Sequence, residues 1–223
     1  MSDIVPTKDG SNTLKSSQFD ALYHSINGAI QESQIVFIEA ALYHKAAQQS
    51  ALSILEIGLG TGLNAFMTYL EAQKQGWQIQ YTGIEAYPID AITAQQLNYP
   101  ILLEASEEDA ALFLELHQEA AAQTRVVLSP SFSFSKVVQP FEALDAVEQY
   151  DIIYYDAFAP SIQPHLWEEE QLKKIYQALK VGGVLTTYCA QGAFKRTLKS
   201  IGFTLEALPG PAGKREMTRA VKG

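Results

Sequence analysis

Two stretches of this 223-residue chain place reactive side chains beside tight turns. The first is Leu55-Glu56-Ile57-Gly58-Leu59-Gly60-Thr61-Gly62-Leu63-Asn64, between an apolar run and a helical pattern over Ala65–Gln75. Glycines adopt backbone angles closed to other residues and let a ligand approach the main chain. Free N–H groups at the start of the following helix favour negative groups or lone pairs. The spacing is Gly-x-Gly-x-Gly, not the Gly-x-Gly-x-x-Gly of dinucleotide binders. Glu56 stands two residues before the first glycine. The combination reads as an S-adenosylmethionine (SAM) loop, with Glu56 and the turn backbone facing the methionine moiety. A ligand-free βα turn is the plain alternative.

The second stretch is Asp156-Ala157-Phe158-Ala159-Pro160, after the apolar run Ile152-Ile153-Tyr154-Tyr155. A carboxylate there suits an amino group: it accepts a hydrogen bond and favours loss of the amine's proton. Holding two reactants in line supplies roughly 7–11 kcal/mol, and general-base help about 10²–10⁴-fold. Phe158 would wall the pocket or face a cation. Asp156 alone reads equally well as a turn cap. Glu85 ends another strand pattern, Gln78 to Ile84, and is placed to accept both ribose hydroxyls of an adenosyl group, whether of SAM or NAD. His24, His44, His117 and His165 lack metal-ligand spacing, and one cysteine cannot supply a zinc site, so no metal is expected.

These residues need elements to hold them. Strands are expected at Ser53–Ile57, Gln78–Ile84, Arg125–Leu128, Phe132–Val138, Tyr150–Tyr155, Val184–Tyr188, Phe203–Leu208 and Thr218–Val221. Helices are expected to Gln75, from Pro88, over Ser106–Gln123, over His165–Leu179 (ended by Gly182-Gly183) and over Ala193–Ile201. Asn98–Leu103 reads as loop. Such alternation implies a mostly parallel sheet covered on both faces. The last two strands have no helix between them and should pair antiparallel. The expected fold is α/β, the class I SAM-dependent methyltransferase architecture: Rossmann-like, a seven-stranded, mostly parallel sheet ending in an antiparallel hairpin. Ligands in such sheets sit beyond the strands' carboxyl ends, where strand order reverses. Residues 1–50 read as an N-terminal extension, a hairpin around Asp9-Gly10 and a long helix over Gly28–Gln49, packed on a domain over 51–223.

Apolar residues make up 47%, enough for a sizeable core. No apolar run approaches the roughly 20 residues that span a bilayer, and the polar N-terminus is no signal peptide. With a single cysteine, this makes a cytoplasmic location the default. The net charge of −9 argues against a general nucleic-acid coat. Yet from Ala190 onward there are seven basic residues and two acids, so a basic C-terminal edge could hold a polyanion.

Taken together the motifs resemble the methyltransferase domain of the bifunctional tRNA 5-methylaminomethyl-2-thiouridine biosynthesis (MnmC-like) family. The matching pieces are Asp9-Gly10-Ser11, Tyr23-His24-Ser25, Asn27-Gly28-Ala29, Gly58-Leu59-Gly60-Thr61-Gly62-Leu63-Asn64, Asp156-Ala157-Phe158-Ala159-Pro160 with Pro164 and Trp167, and Lys214-Arg215-Glu216-Met217. They run in the family's order over nearly the whole chain. The resemblance implies SAM-dependent N-methylation of the aminomethyl group on a modified wobble uridine in the tRNA anticodon region. Cofactor contacts are then expected from Glu56, Gly58, Gly60, Thr61, Gly62, Asn64, Glu85 and Tyr23. Asp156 and Phe158 would be catalytic, with His24, Lys214 and Arg215 on the substrate side, the last two at tRNA phosphates. A wobble base is single-stranded and can be splayed into a pocket.

Two departures stand out. The family's larger members carry a flavin-dependent oxidoreductase domain that makes the aminomethyl substrate. This sequence, ending at Gly223, is expected to use no flavin, perform the methyl step only and depend on another enzyme for its substrate. The family's Gly-Asp after the third strand is here Gln139-Pro140-Phe141-Glu142, leaving Gln139 or Glu142 to reach the adenine. The rival readings are an aminopropyltransferase of the spermidine-synthase type, a small-amine methyltransferase, a NAD-dependent dehydrogenase and a non-catalytic tRNA-binding scaffold.

Overall fold

The structure, a computed structural model, describes residues 3–118 and 125–223. Strands β1 (Asp3–Pro6), β2 (Asn12–Ser16) and β3 (Ala21–Leu22) form a small antiparallel sheet. Asp9 orders its first turn by accepting from the Ser11 N–H at 3.0 Å and ties it to the next helix by accepting from the Gln31 N–H at 3.0 Å. That helix begins as α1 (Ala29–Ser33), widens into a π-helix over Gln34–Tyr43 and closes as α2 (His44–Ala46). Arg219 donates to the Ala40 carbonyl in the π-helical stretch at 2.9 Å.

Then come β4 (Ala51–Ile57), α3 (Leu63–Gln75), β5 (Gln78–Glu85), α4 (Ala91–Ala94), α5 (Tyr99–Leu102) and α6 (Glu107–Glu115). The chain continues through β6 (Arg125–Ser129), β7 (Phe132–Val138), β8 (Tyr150–Tyr155), α7 (Glu169–Ala178), β9 (Leu179–Thr187), α8 (Gly192–Ile201), β10 (Phe203–Pro209) and β11 (Glu216–Lys222). The main sheet runs β10-β11-β9-β8-β4-β5-β7-β6. Strands β7, β5, β4, β8 and β9 are parallel, and β11 lies antiparallel between β9 and β10. The chain leaves β4 toward β5 and β7, then returns to β8 on the other side, so order reverses between β4 and β8.

Alternation decides which face each side chain enters. Ile152 and Tyr154 of β8 join the core under the π-helix and α3, while Ile153 and Tyr155 join the core under α7 and α8. Both layers are dominated by apolar side chains, as a sheet covered on two faces requires.

Four expectations change. The sheet has an eighth strand, because β6 pairs antiparallel with β7 at the edge. Gly182-Gly183 does not end a helix; α7 stops at Ala178 and the glycines lie inside β9, where pairing with β8 shifts register. The helix expected from Pro88 starts instead after Asp90, whose carboxylate accepts from the Thr93 N–H at 2.7 Å. Asn98–Leu103 contains the short helix α5, not only loop. Ser106 caps α6 as expected, accepting from the Asp109 N–H at 3.1 Å; the part of that expected helix at 119–123 lies outside the described residues.

Candidate active site

The carboxyl ends of β4, β5, β7 and β8 open into one cleft of about 170 Å³. Its walls include Gly58, Gly60, Glu85, Gln139, Glu142, Asp156, Phe158 and Tyr23. Gly58 and Gly60 have positive φ, +86° and +50°. A Cβ on Gly58 would sit 2.7 Å from the Asp156 carbonyl oxygen, and one on Gly60 2.9 Å from the Tyr23 ring. The glycines therefore let the turn pass under Tyr23 and beside Asp156. Gly62 closes the turn by donating to the Leu59 carbonyl at 2.8 Å and precedes α3 in the left-handed conformation.

Glu85 accepts from the Gly60 N–H and the Tyr87 N–H, each at 2.9 Å. Burial raises its carboxyl, opposed by the Tyr87 and Gly60 N–H groups. Its remaining lone pairs suit a vicinal diol. On the opposite wall Phe158 packs between Phe19 and Tyr23, with ring centroids 5.1 and 5.2 Å away. Burial, then the charge of Glu85, pushes Tyr23 up to about 12, so it stays a neutral phenol. Diol acceptor, aromatic lid and glycine cradle together fit an adenosyl group.

Asp156 follows β8 directly, and its N–H donates to the Ile57 carbonyl at 3.0 Å. One amide spans two acids here: Asn64 Nδ2 donates to Asp156 at 2.8 Å and to Glu56 at 2.7 Å. Burial first, then the charge of Glu32, pushes Asp156 up to about 7; the Asn64 hydrogen bond and Lys214 act the other way. Glu56 is held well above the carboxylate range by burial, then by the charge of Asp156.

Several expected contacts take other roles. Glu56 is fully buried, with its second oxygen accepting from Tyr81 at 2.8 Å, and does not wall the cleft. It supports Asn64 from below. Asn64 and Thr61 are likewise buried. His24 is buried too, its Nε2 2.7 Å from the Thr61 hydroxyl, and burial pushes it down to about 4. It braces the glycine turn as a neutral ring and does not reach substrate space.

Beyond Asp156, the strand-end loop separates the cleft from a shallower groove walled by Ala159, Pro160, Tyr188, Gln191, Lys214 and Arg215. Lys214 pairs with Glu32 and lies 3.9 Å over the Tyr188 ring. Tyr188 in turn donates to the Ala157 carbonyl at 2.8 Å. The sequence singled out Lys214 and not Glu32, Tyr188, Phe19 or Tyr87; the Lys214-Arg215-Glu216-Met217 motif marks one end of that ion pair only. Arg215 is exposed on the groove's rim. Trp167 is a core residue whose Nε1 donates to the Phe158 carbonyl at 2.9 Å.

The sheet order, the glycine turn after β4 and the acid after β5 define a class I methyltransferase. A family model described as S-adenosyl-L-methionine-dependent methyltransferase matches residues 108–223, and the chain belongs to that family. It is 30% identical over 215 residues to the tRNA 5-methylaminomethyl-2-thiouridine biosynthesis bifunctional protein MnmC of Marinomonas sp. (strain MWYL1), covering 91% of this chain and 31% of that protein. The namesake in Magnetococcus marinus is also 30% identical, over 94% of this chain and 32% of its own length. The chain thus spans about a third of the curated relatives it matches. Among solved structures, MNMC2 from Aquifex aeolicus superposes with a TM-score of 0.81 at 23% identity, over 99% of this chain and 70% of that one. Spermidine synthase from Thermotoga maritima gives 0.57 at 17% identity, over 100% and 72%. At those identities the likeness is one of fold.

Proposed function

We propose that this chain methylates the primary amine of an aminomethyl uridine at the tRNA wobble position, turning 5-aminomethyl-2-thiouridine into its methylaminomethyl form. SAM, when bound, supplies an electrophilic methyl on a sulfonium. The names of the MnmC relatives support the substrate class. The observation that carries the reading is Asp156: a buried carboxyl pushed up to about 7 on the wall of the adenosyl-shaped cleft, held by Asn64.

A primary alkylamine is mostly protonated at neutral pH and cannot attack in that form. Asp156 takes the amine's proton, as an acid near the working pH does best. The freed lone pair forms the N–C bond while the C–S pair leaves with sulfur. Asn64 keeps the Asp156 carboxylate aimed, and Glu85 and the glycine turn hold the adenosyl end, so most of the rate comes from alignment. Gln139 and Glu142, on the cleft wall, are placed to reach the adenine edge.

The test is incubation with radiolabelled SAM and tRNA from cells lacking this final methylation, followed by digestion to nucleosides. Label in methylaminomethyl uridine is expected. Label absent from tRNA but present in a free polyamine would replace this substrate with a small amine.

A further inference from the structure

Lys214 lies where a surface phosphate contact would not. Its side chain is only partly exposed, at 32%, and the side chain of its partner Glu32 is 8% exposed. The Glu32 carboxylate is preset: its second oxygen accepts from the Ser25 N–H at 2.9 Å. Tyr188 presents its ring face to the same ammonium, and its hydroxyl is anchored one residue beyond Asp156. The charges of Glu32 and Lys214 are both felt at Asp156. A buried carboxylate, an aromatic face and a second carboxylate nearby are the parts of a receptor for an alkylammonium. The Lys214 side chain is itself a primary alkylammonium, so the chain carries its own ligand analogue in that receptor.

We propose that Glu32 and Tyr188 form the seat for the substrate's primary ammonium, and that Lys214 occupies this seat until the substrate displaces it toward the groove's rim. The inference rests on the proposed function and adds to it how the amine is recognised. In the seat the ammonium lies within the electrostatic reach of Asp156, the group that takes its proton. Lys214, once released, joins Arg215 at the rim, where a nucleotide's phosphate would lie. Recognition is therefore an exchange of one ammonium for another, and a neutral group at the same position gains nothing from it.

The test compares binding of 5-aminomethyluridine, 5-hydroxymethyluridine and putrescine to wild type, Glu32→Gln and Lys214→Met by NMR titration. SAM affinity and melting temperature are followed as controls of folding. Glu32→Gln is expected to weaken 5-aminomethyluridine about tenfold or more, as loss of one partner of a buried charge pair does. Lys214→Met is expected to tighten it several-fold, because the seat is vacated. Neither variant should shift 5-hydroxymethyluridine much. Weakening by both variants, or equal changes for the hydroxymethyl compound, would overturn the seat. Opposite-signed changes seen with putrescine alone would keep the seat and remove the nucleoside as its occupant. The tRNA labelling assay on wild type runs alongside. Label in tRNA without the opposite signs refutes the seat alone, whereas opposite signs without label in tRNA refute the tRNA reading alone.

Discussion

Asp156 is costly where it stands. A carboxyl raised from 3.8 to about 7 on folding binds a proton in the folded state that the unfolded chain has already released between those values. Stability therefore falls as pH rises from about 4 to 7, and the full penalty remains above 7. Asp156→Asn keeps an oxygen to accept from Asn64 and carries no charge. We expect it to melt higher than wild type at pH 8, with the gain shrinking toward pH 5, while methyl transfer drops about 10²–10⁴-fold and SAM binding holds. Calorimetric scans at the two pH values and a single-turnover assay check both halves; normal turnover would remove Asp156 from the chemistry. In wild type, methyl transfer should rise with pH through about 7, as Asp156 ionises. At Glu85, alanine removes the acceptor of two backbone N–H groups. Titration calorimetry should show SAM binding roughly 10–100-fold weaker, the cost of losing charge-assisted hydrogen bonds. An unchanged dissociation constant would take Glu85 out of the site.

At the scale of elements, short-range signals were legible where a local rule decides the outcome. The strand–glycine–helix unit at 51–75, the acid after β5 and the antiparallel close of β10 and β11 follow from pattern and connection length alone. Gly182-Gly183 misled because a glycine pair after a helix reads as a stop, whereas here it relieves crowding inside a strand: a Cβ on Gly183 would sit 2.8 Å from the Lys180 carbonyl oxygen. Glu56 and His24 were read as ligand contacts, and their burial is what the sequence did not carry. A polar residue beside a ligand motif looks like a ligand contact until its burial is known, and burial is a tertiary fact. The π-helix was not legible either, since its apolar residues fit an ordinary helix. Arg219 ties it to the sheet through Ala40 and pairs with Glu206 on β10. Arg219→Ala should lower unfolding free energy by about 1–3 kcal/mol in urea titrations, and a change below experimental error would make that tie incidental.

For the whole molecule, charge placement matters more than net charge. Of the seven basic residues after Ala190, Lys195 pairs with Glu216, Lys214 with Glu32, Arg219 with Glu206 and Lys222 with Glu148. Arg196, Lys199 and Arg215 have no ion pair among the described residues. Any tRNA phosphate contact therefore falls to fewer cations than the sequence suggests. Replacing Arg215 with glutamine should weaken tRNA binding and flatten its log–log salt dependence by roughly one phosphate's worth, while Lys222→Gln should leave that slope alone. Equal slopes for both would refute the assignment.

The Glu32–Lys214 pair joins residues 182 positions apart. On a ribosome, Glu32 is made first and waits while the strands of the main sheet are laid down one by one before Lys214 emerges. Until then a carboxylate meant for the interior has no counter-charge, and the groove beside Asp156 has one wall missing. A chain cut between Glu32 and Lys214, even one that had already formed the adenosyl-shaped cleft, would therefore keep the Glu32 carboxylate without the cation that holds its place.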